Sequence, residues 1–414
     1  MVAVVLNGVI GGGIFGLASR VYALSGTYSL LAFGACAICV SLIVLSFAEV
    51  AGRFSGTGGP YLFAKECYGP AAGFGIGWLV WVARVTSFAA NCSLVPDYLA
   101  FFFPGAASGA PRALILIVLV TALAAVNVRG VRNTANWSNV LAVGKLLPLG
   151  VFVVAGLAML VPARFSFAAG TSYHGFSQSV LLLVYAFTGF EMAVIPAGEV
   201  HNPGRDVPRA LLIGMTAVVA FYVGIQAACI GTLPGAELAK SSRPLADAAA
   251  GFLGNGGAVM MMVGMVVSLA GNLNVLILAA SRMLFAMAEG RALPAGLASV
   301  HPRFRTPAVA VLATTAVMLT LALSKTFVYL VTVSTVARLV TYFATCGALP
   351  ILRRRHSGGA GFHLPGGVWI AGAAMALCLW LLSNASLQEA FHTAIAVAVG
   401  YVIYGAYRSY TVRL

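Results

Sequence analysis

The stretch "NGVIGGGIFG", residues 7–16, places three consecutive glycines inside a long apolar run. Each glycine costs a helix about 1 kcal/mol relative to alanine. In lipid, a backbone group without a helical partner is tolerated only where it is buried in protein or lines a cavity. A helix broken at Gly11-Gly12-Gly13 presents free N–H groups at the start of its second half and free carbonyls at the end of its first. The N–H groups suit a carboxylate and the carbonyls an ammonium. Both charges of an α-amino acid can thus be met by backbone alone. Close packing between helices uses glycines in the same way, so this segment alone leaves both readings open. A second interruption, in "VYAFTGFEMAVIPAGE" at residues 184–199, adds Gly189 and the intramembrane acid Glu191. Glycine breaks at corresponding places in two halves of a chain point to a transporter binding site.

The other candidates are charges and rings. Lys145, in "NVLAVGKLLPLG", falls within an apolar span, where a charge costs several kcal/mol unless it faces protein, water or a partner. It is a candidate proton carrier, or a fixed cation in place of a metal ion, or a lysine that snorkels to the interface. Glu191 could gate the site, carry a proton, or hydrogen-bond helix ends. Tyr185 and Phe187 could line a pocket or serve packing, and Asn272 and Asn274 could contact substrate or bond between helices. Arg84 and Arg338 read as structural cations reaching helix ends or loops near an interface.

These residues need membrane helices to position them. Of 414 residues, 61% are hydrophobic and 8% charged, about a third of the charged fraction usual in soluble domains. With about 20 apolar residues per crossing, the chain divides into about twelve spans: 2–25, 28–50, 71–95, 113–128, 138–161, 179–198, 209–231, 257–287, 307–323, 327–350, 366–383 and 390–407. The fourth looks short. The first reads as a membrane helix rather than a cleaved signal, because no basic segment precedes it.

The net charge of +14 sorts by side. With a cytoplasmic N-terminus, fifteen Lys and Arg residues, including Arg53, Arg132, Arg353 and Arg413, fall inside and six outside. The bias follows the positive-inside rule, places both termini in the cytoplasm, and removes nucleic acid as the reason for the charge. Connections of about 15–25 residues leave no room for a soluble domain, and no G-x-x-x-x-G-K-[ST] stretch supports an ATP-driven pump. The six histidines, His201 and His356 among them, form no metal motif, and Cys36-x-x-Cys39 lies on an apolar helix where packing is the expected role. No cofactor is expected, and no catalytic constellation supports an enzyme.

Several ordered motifs resemble the amino acid–polyamine–organocation superfamily of permeases. They are "GVIGGGIFGLAS", "FAEVAGRFSGTGGPYLFAKECYGPAAGFGIGW", "GFEMAVIPAGEVHNPGRDVPRAL", "SRMLFAMAEGRALPAGLASVHPRFRTPAVAV" and "ARLVTYFATCGALPILRRR". The resemblance implies an all-α polytopic membrane protein with the leucine-transporter-type fold. In that fold, helices 1–5 (about 2–161) and 6–10 (about 179–350) form a five-plus-five inverted repeat, followed by helices 11–12 (about 366–407). It further implies substrate binding by the N–H groups of Gly12, Gly13 and Ile14, by carbonyls near Val9 and Ile10, and by span six near Tyr185 and Thr188. Lys145 matches a lysine that in some members sits where sodium binds in others. Gly12 stands where serine is usual, which removes one hydroxyl contact, and Val275 aligns with a tryptophan of arginine-specialised members. The expected function is secondary transport of an amino acid, a neutral one favoured, across the cytoplasmic membrane, by proton coupling or exchange. Alternatives are a carrier of cationic amino acids or polyamines, and an amino-acid sensor. Expected partners are the amino acid, protons and membrane lipid, with oligomeric state open.

Overall fold

The computed structural model describes residues 2–54, 59–130, 134–167, 170–193, 203–355 and 362–411. Arg132, His201, His356, Arg413 and the end of the expected sixth span, 194–198, lie outside the described residues. The described residues form helices and connecting turns, because apolar runs of this length leave the backbone no alternative partner in lipid.

The first span is two helices, α1 (Val2–Val9) and α2 (Gly12–Ser25), separated at Ile10 and Gly11. A 3-10 turn at Gly26–Tyr28 leads into α3 (Ser29–Ala51), and the short α4 (Pro60–Tyr68) precedes α5 (Pro70–Leu99). The fourth span is α6 (Gly109–Arg129), longer than expected because the helix continues through Pro111 and Arg112. The fifth is α7 (Thr134–Ala158). The sixth begins earlier than expected, as α8 (Tyr173–Ala186), capped by the Ser172 hydroxyl, which accepts from the Gly175 N–H at 3.0 Å. That helix stops before Gly189 and resumes as a 3-10 turn at Phe190–Ala193. Then follow α9 (Pro203–Thr232), the short α10 (Gly235–Lys240), and α11 (Pro244–Glu289), which bends at Gly254 where φ is 65°. The chain ends with α12 (Ala308–Ser324), α13 (Phe327–Arg355), α14 (Gly367–Ser383) and α15 (Leu387–Thr411). Among the described residues, helical units overlap all twelve expected spans, with the first and sixth interrupted, and seven helical stretches are long and apolar enough to cross a membrane.

Contacts between units repeat with an offset of five. Span three packs on span ten (α5 on α13), and eight on five (α11 on α7). Span two packs on six (α3 on α8), and seven on one (α9 on α1). Span three packs on nine (α5 on α12), and eight on four (α11 on α6). Such an exchange is what a five-plus-five repeat requires. The last two helices, α14 and α15, pack on α13, α3 and α5 outside it. The hub is α5, which is buried along nearly all of its length from Gly73 to Leu94. By contrast Leu114 and Val118 on α6, and Val399 and Val402 on α15, are exposed apolar side chains that fit a lipid-facing surface.

A latch closes one end of the bundle. Glu49, fully buried near the end of α3, accepts from Arg353 Nε at 2.8 Å and Nη2 at 2.6 Å, from Arg53 Nη2 at 2.9 Å and from the Leu364 N–H at 3.0 Å. One carboxylate therefore joins α3, the end of α13 and the approach to α14. Removing one partner of a buried ion pair costs about 3–5 kcal/mol, because the other charge stays desolvated. Glu49→Leu should lower the thermal unfolding midpoint of the detergent-purified protein well below that of a Glu66→Leu control on the exposed face of α4, and equal midpoints would show that the latch contributes little.

Candidate functional site

The two breaks meet. Gly189 has φ 110°, a conformation that glycine adopts readily and L side chains rarely do. A Cβ at that position would collide with the Gly8 carbonyl oxygen of α1. On the other side of the break, a Cβ on Gly13 would lie 2.9 Å from Cα of Ala186 at the end of α8. The glycines thus serve both readings the sequence left open: they interrupt the helices, and they let the interrupted backbones touch.

Because the breaks adjoin, helix ends of both signs face one site. At the start of α2, Gly11 is extended (φ −131°, ψ −154°) and no side chain caps the helix. The first N–H groups of α2, from Gly12, Gly13 and Ile14, belong to the turn that has no helical acceptor. Tyr185 lies over this turn, its ring carbon Cδ1 3.2 Å from where a Gly13 Cβ would be. Its hydroxyl donates to Asn91 Oδ1 at 2.6 Å and contacts the Ser87 carbonyl at 3.1 Å. Asn91 in turn donates to Asn272 Oδ1 at 2.7 Å, and its own Oδ1 would sit 2.5 Å from a Cβ on Gly12. Two helices of the bundle, α5 and α11, thereby press polar side chains against the first break.

The carbonyl side differs from the expectation. The Ile10 carbonyl is taken by Lys145 Nζ at 2.8 Å, with Ser268 Oγ at 3.4 Å, and the Asn7 carbonyl also accepts from Lys145 at 3.0 Å. Lys145 is buried, 3% exposed, and does not snorkel. Its ammonium sits at the negative end of α1, where the helix dipole favours a cation. The Val9 carbonyl accepts from the Tyr222 hydroxyl at 3.1 Å, and so does the Ala186 carbonyl at 3.1 Å. One hydroxyl carries one proton, so these carbonyls retain free lone pairs. Tyr222 was not among the sequence candidates, since a tyrosine within an apolar helix carries no signal of its partners.

On span six, the Thr188 hydroxyl donates to the Tyr185 carbonyl at 2.7 Å, closing the turn after α8. Phe187 packs against Phe33 and Tyr222, with ring centroids 6.3 and 5.1 Å away, within an aromatic cluster. Glu191 pairs with Arg338 of α13 and accepts at its other oxygen from the Gly189 N–H at 2.9 Å and Tyr342 Oη at 3.1 Å. The expectation that Arg84 and Arg338 reach toward an interface is corrected. Both are buried, Arg338 held by Glu191 and Arg84 in the bundle interior, because their positions on α13 and α5 face the centre rather than lipid. Asn274 accepts from Asn127 at 2.8 Å and so bonds between helices. Val275, one turn further along α11, is 37% exposed.

Apolar units crossing the bilayer, two of them broken face to face around uncapped helix ends, define a multi-pass membrane carrier. The comparisons agree: residues 1–405 match the family described as amino acid permease. An uncharacterized transporter of Mycobacterium tuberculosis is 32% identical over 78% of this chain and 72% of its own. A serine/threonine exchanger of Bacillus subtilis is 29% identical over 86% and 82%, and a branched-chain amino acid permease of the same organism 24% identical over 97% and 90%. The chain belongs to the amino acid permease family, whose members are transporters rather than enzymes.

A direct test of the site is Gly189→Ala. The left-handed backbone costs a non-glycine residue about 1–2 kcal/mol, and the new methyl forces the Gly8 carbonyl aside. Amino acid uptake should fall at least about tenfold while membrane-inserted protein stays near wild-type amount; full uptake would show that the close approach of the breaks is dispensable.

Proposed function

We propose that the protein is a secondary transporter of neutral amino acids that works by alternating access at the paired breaks. The observation that carries this reading is the meeting of the uncapped start of α2 with the ends of α1 and α8. The substrate carboxylate is held by the N–H groups of Gly12, Gly13 and Ile14. Its ammonium takes the free lone pairs of the Val9 and Ala186 carbonyls, which the Tyr222 hydroxyl otherwise bridges. Tyr185, positioned by Asn91, covers the substrate. A cationic side chain is disfavoured, because Glu191, the carboxylate at the second break among the described residues, is already engaged by Arg338, Tyr342 and Gly189. The names of two relatives, an exchanger of serine and threonine and a permease of branched-chain amino acids, support the neutral class.

On this reading helices 1–5 (2–161) and 6–10 (179–350) are the halves that rock about the site, with both termini in the cytoplasm, as the fifteen-to-six distribution of Lys and Arg favours. Lys145 places an ammonium at the end of α1, which favours proton coupling or exchange over sodium symport.

The deciding experiment is uptake of labelled neutral amino acids by the purified protein in liposomes. One set carries an inward proton gradient and another is preloaded with unlabelled amino acid. Accumulation driven by the gradient, and lost in Lys145→Ala, identifies proton symport through Lys145. Uptake confined to preloaded vesicles identifies an exchanger. A requirement for sodium would overturn the role given to Lys145, and uptake of no amino acid would overturn the transport reading.

A further inference from the structure

Among the described residues, Arg84 is a buried charged group without an ion-pair partner that this transport reading leaves unused. It is 3% exposed, on α5, and among the described residues no carboxylate forms an ion pair with it. Its Nη2 is buried without any hydrogen-bond partner. Neighbouring polar groups do not relieve it: Arg338 is a second cation, already committed to Glu191 and Ser87, and Tyr342 donates its proton to Glu191. A guanidinium stays protonated under any condition a protein meets, and a buried charge with no counter-charge is strongly destabilising.

Two further observations locate the deficit. Arg84, Ser87 and Asn91 are spaced i, i+3 and i+7, which puts them on one face of α5. Asn91 on that face lies against Gly12, and the Ser87 carbonyl contacts the Tyr185 hydroxyl, so the face is the one turned toward the breaks. Among the described residues, the buried charges on α5, α7, α13 and the turn after α8 are Arg84, Lys145, Arg338 and Glu191. Carbonyls compensate Lys145 and Glu191 compensates Arg338, leaving the excess positive charge at Arg84.

We propose that Arg84, whose backbone stands two helical turns along α5 from Asn91 and whose long side chain can bridge part of that distance, is the cationic half of a subsite for a small anion beside the amino acid site. The inference rests on the transport reading and extends it. A guanidinium fork matches a carboxylate best. Its first source is the side chain of the substrate, which extends the range of transported compounds to dicarboxylic amino acids. The second source is a free inorganic anion, such as chloride, that binds alongside a neutral amino acid. Either supplies the missing negative charge.

Wild-type protein in liposomes separates the two sources. L-aspartate and L-glutamate are tested as competitors of neutral uptake and as labelled substrates, and neutral uptake is measured with chloride and with a bulky organic sulfonate in its place. If the side chain is the source, an acidic amino acid competes and is itself taken up, and Arg84→Met lowers the ratio of acidic to neutral uptake by about tenfold or more, with Arg84→Lys intermediate. If a free anion is the source, chloride raises neutral uptake severalfold in the wild type and Arg84→Met abolishes that response. Neutral uptake that ignores both chloride and acidic amino acids overturns the proposal while leaving neutral transport standing. Because that comparison uses only the wild type, a poorly folding variant does not prevent a decision. Failure to take up any amino acid would overturn the transport reading and this inference with it.

Discussion

Inside a bilayer, a carbonyl or N–H that loses its helical partner has no water to replace it. Every feature of the centre of this protein answers that constraint. Interrupting α1 from α2 releases carbonyls, and Lys145 and Tyr222, from two different helices, take them up. Stopping α8 releases the Ala186 carbonyl, and the same Tyr222 hydroxyl reaches it. The Gly189 N–H is met by Glu191, two residues further on, and that carboxylate is in turn anchored on α13. The N–H groups that begin α2 are the part of the broken backbone to which no side-chain cap is given.

This distribution explains why the broken helices are surrounded by ordinary ones. A break is stable only if neighbouring continuous helices bring polar groups to its level. Here α7 brings Lys145, α9 brings Tyr222, α5 brings Asn91 and Ser87, and α11 brings Asn272 and Ser268. Each of these groups stands on a helix that is otherwise apolar and packed, so its position is set by the bundle rather than by the loop it serves.

Much of this architecture was readable from the residues alone. Apolar length marks the spans, and Gly11-Gly12-Gly13 and Gly189 mark the breaks, because glycine in the middle of a membrane helix has few explanations. The start of α8 was misplaced because "YHGFSQS" is polar for a membrane segment, yet it is helical, with Ser172 as its cap. Partnerships were harder to foresee. The contact between Lys145 and the Ile10 carbonyl spans 135 residues, and that between Tyr222 and Val9 spans 213. A lone intramembrane acid could have paired with either arginine, and nothing local to Glu191 chooses Arg338 over Arg84. The Val9 and Ile10 carbonyls, expected to face a substrate ammonium, accept from the protein's own donors Tyr222 and Lys145, which no local signal revealed. For Phe187 the sequence leaves pocket lining and packing open, because aromatic character is visible in a sequence and side-chain direction is not; its ring lies against Phe33 and Tyr222.

The near-complete burial of α5 bears on how this chain can vary. Its residues meet α13, α11, α12, α4 and α15 around nearly the whole circumference, and one face also carries the asparagine, serine and arginine turned toward the breaks. Even its contact with the outermost helix is a close fit, with Trp78 filling the space over Gly400 and donating to the Ala396 carbonyl at 2.7 Å. Interiors packed this densely register the gain or loss of a single methylene. Substitutions should therefore accumulate freely on the lipid faces of α6 and α15 and hardly at all along α5, so descendants of this sequence can alter their outline long before they can alter their axis.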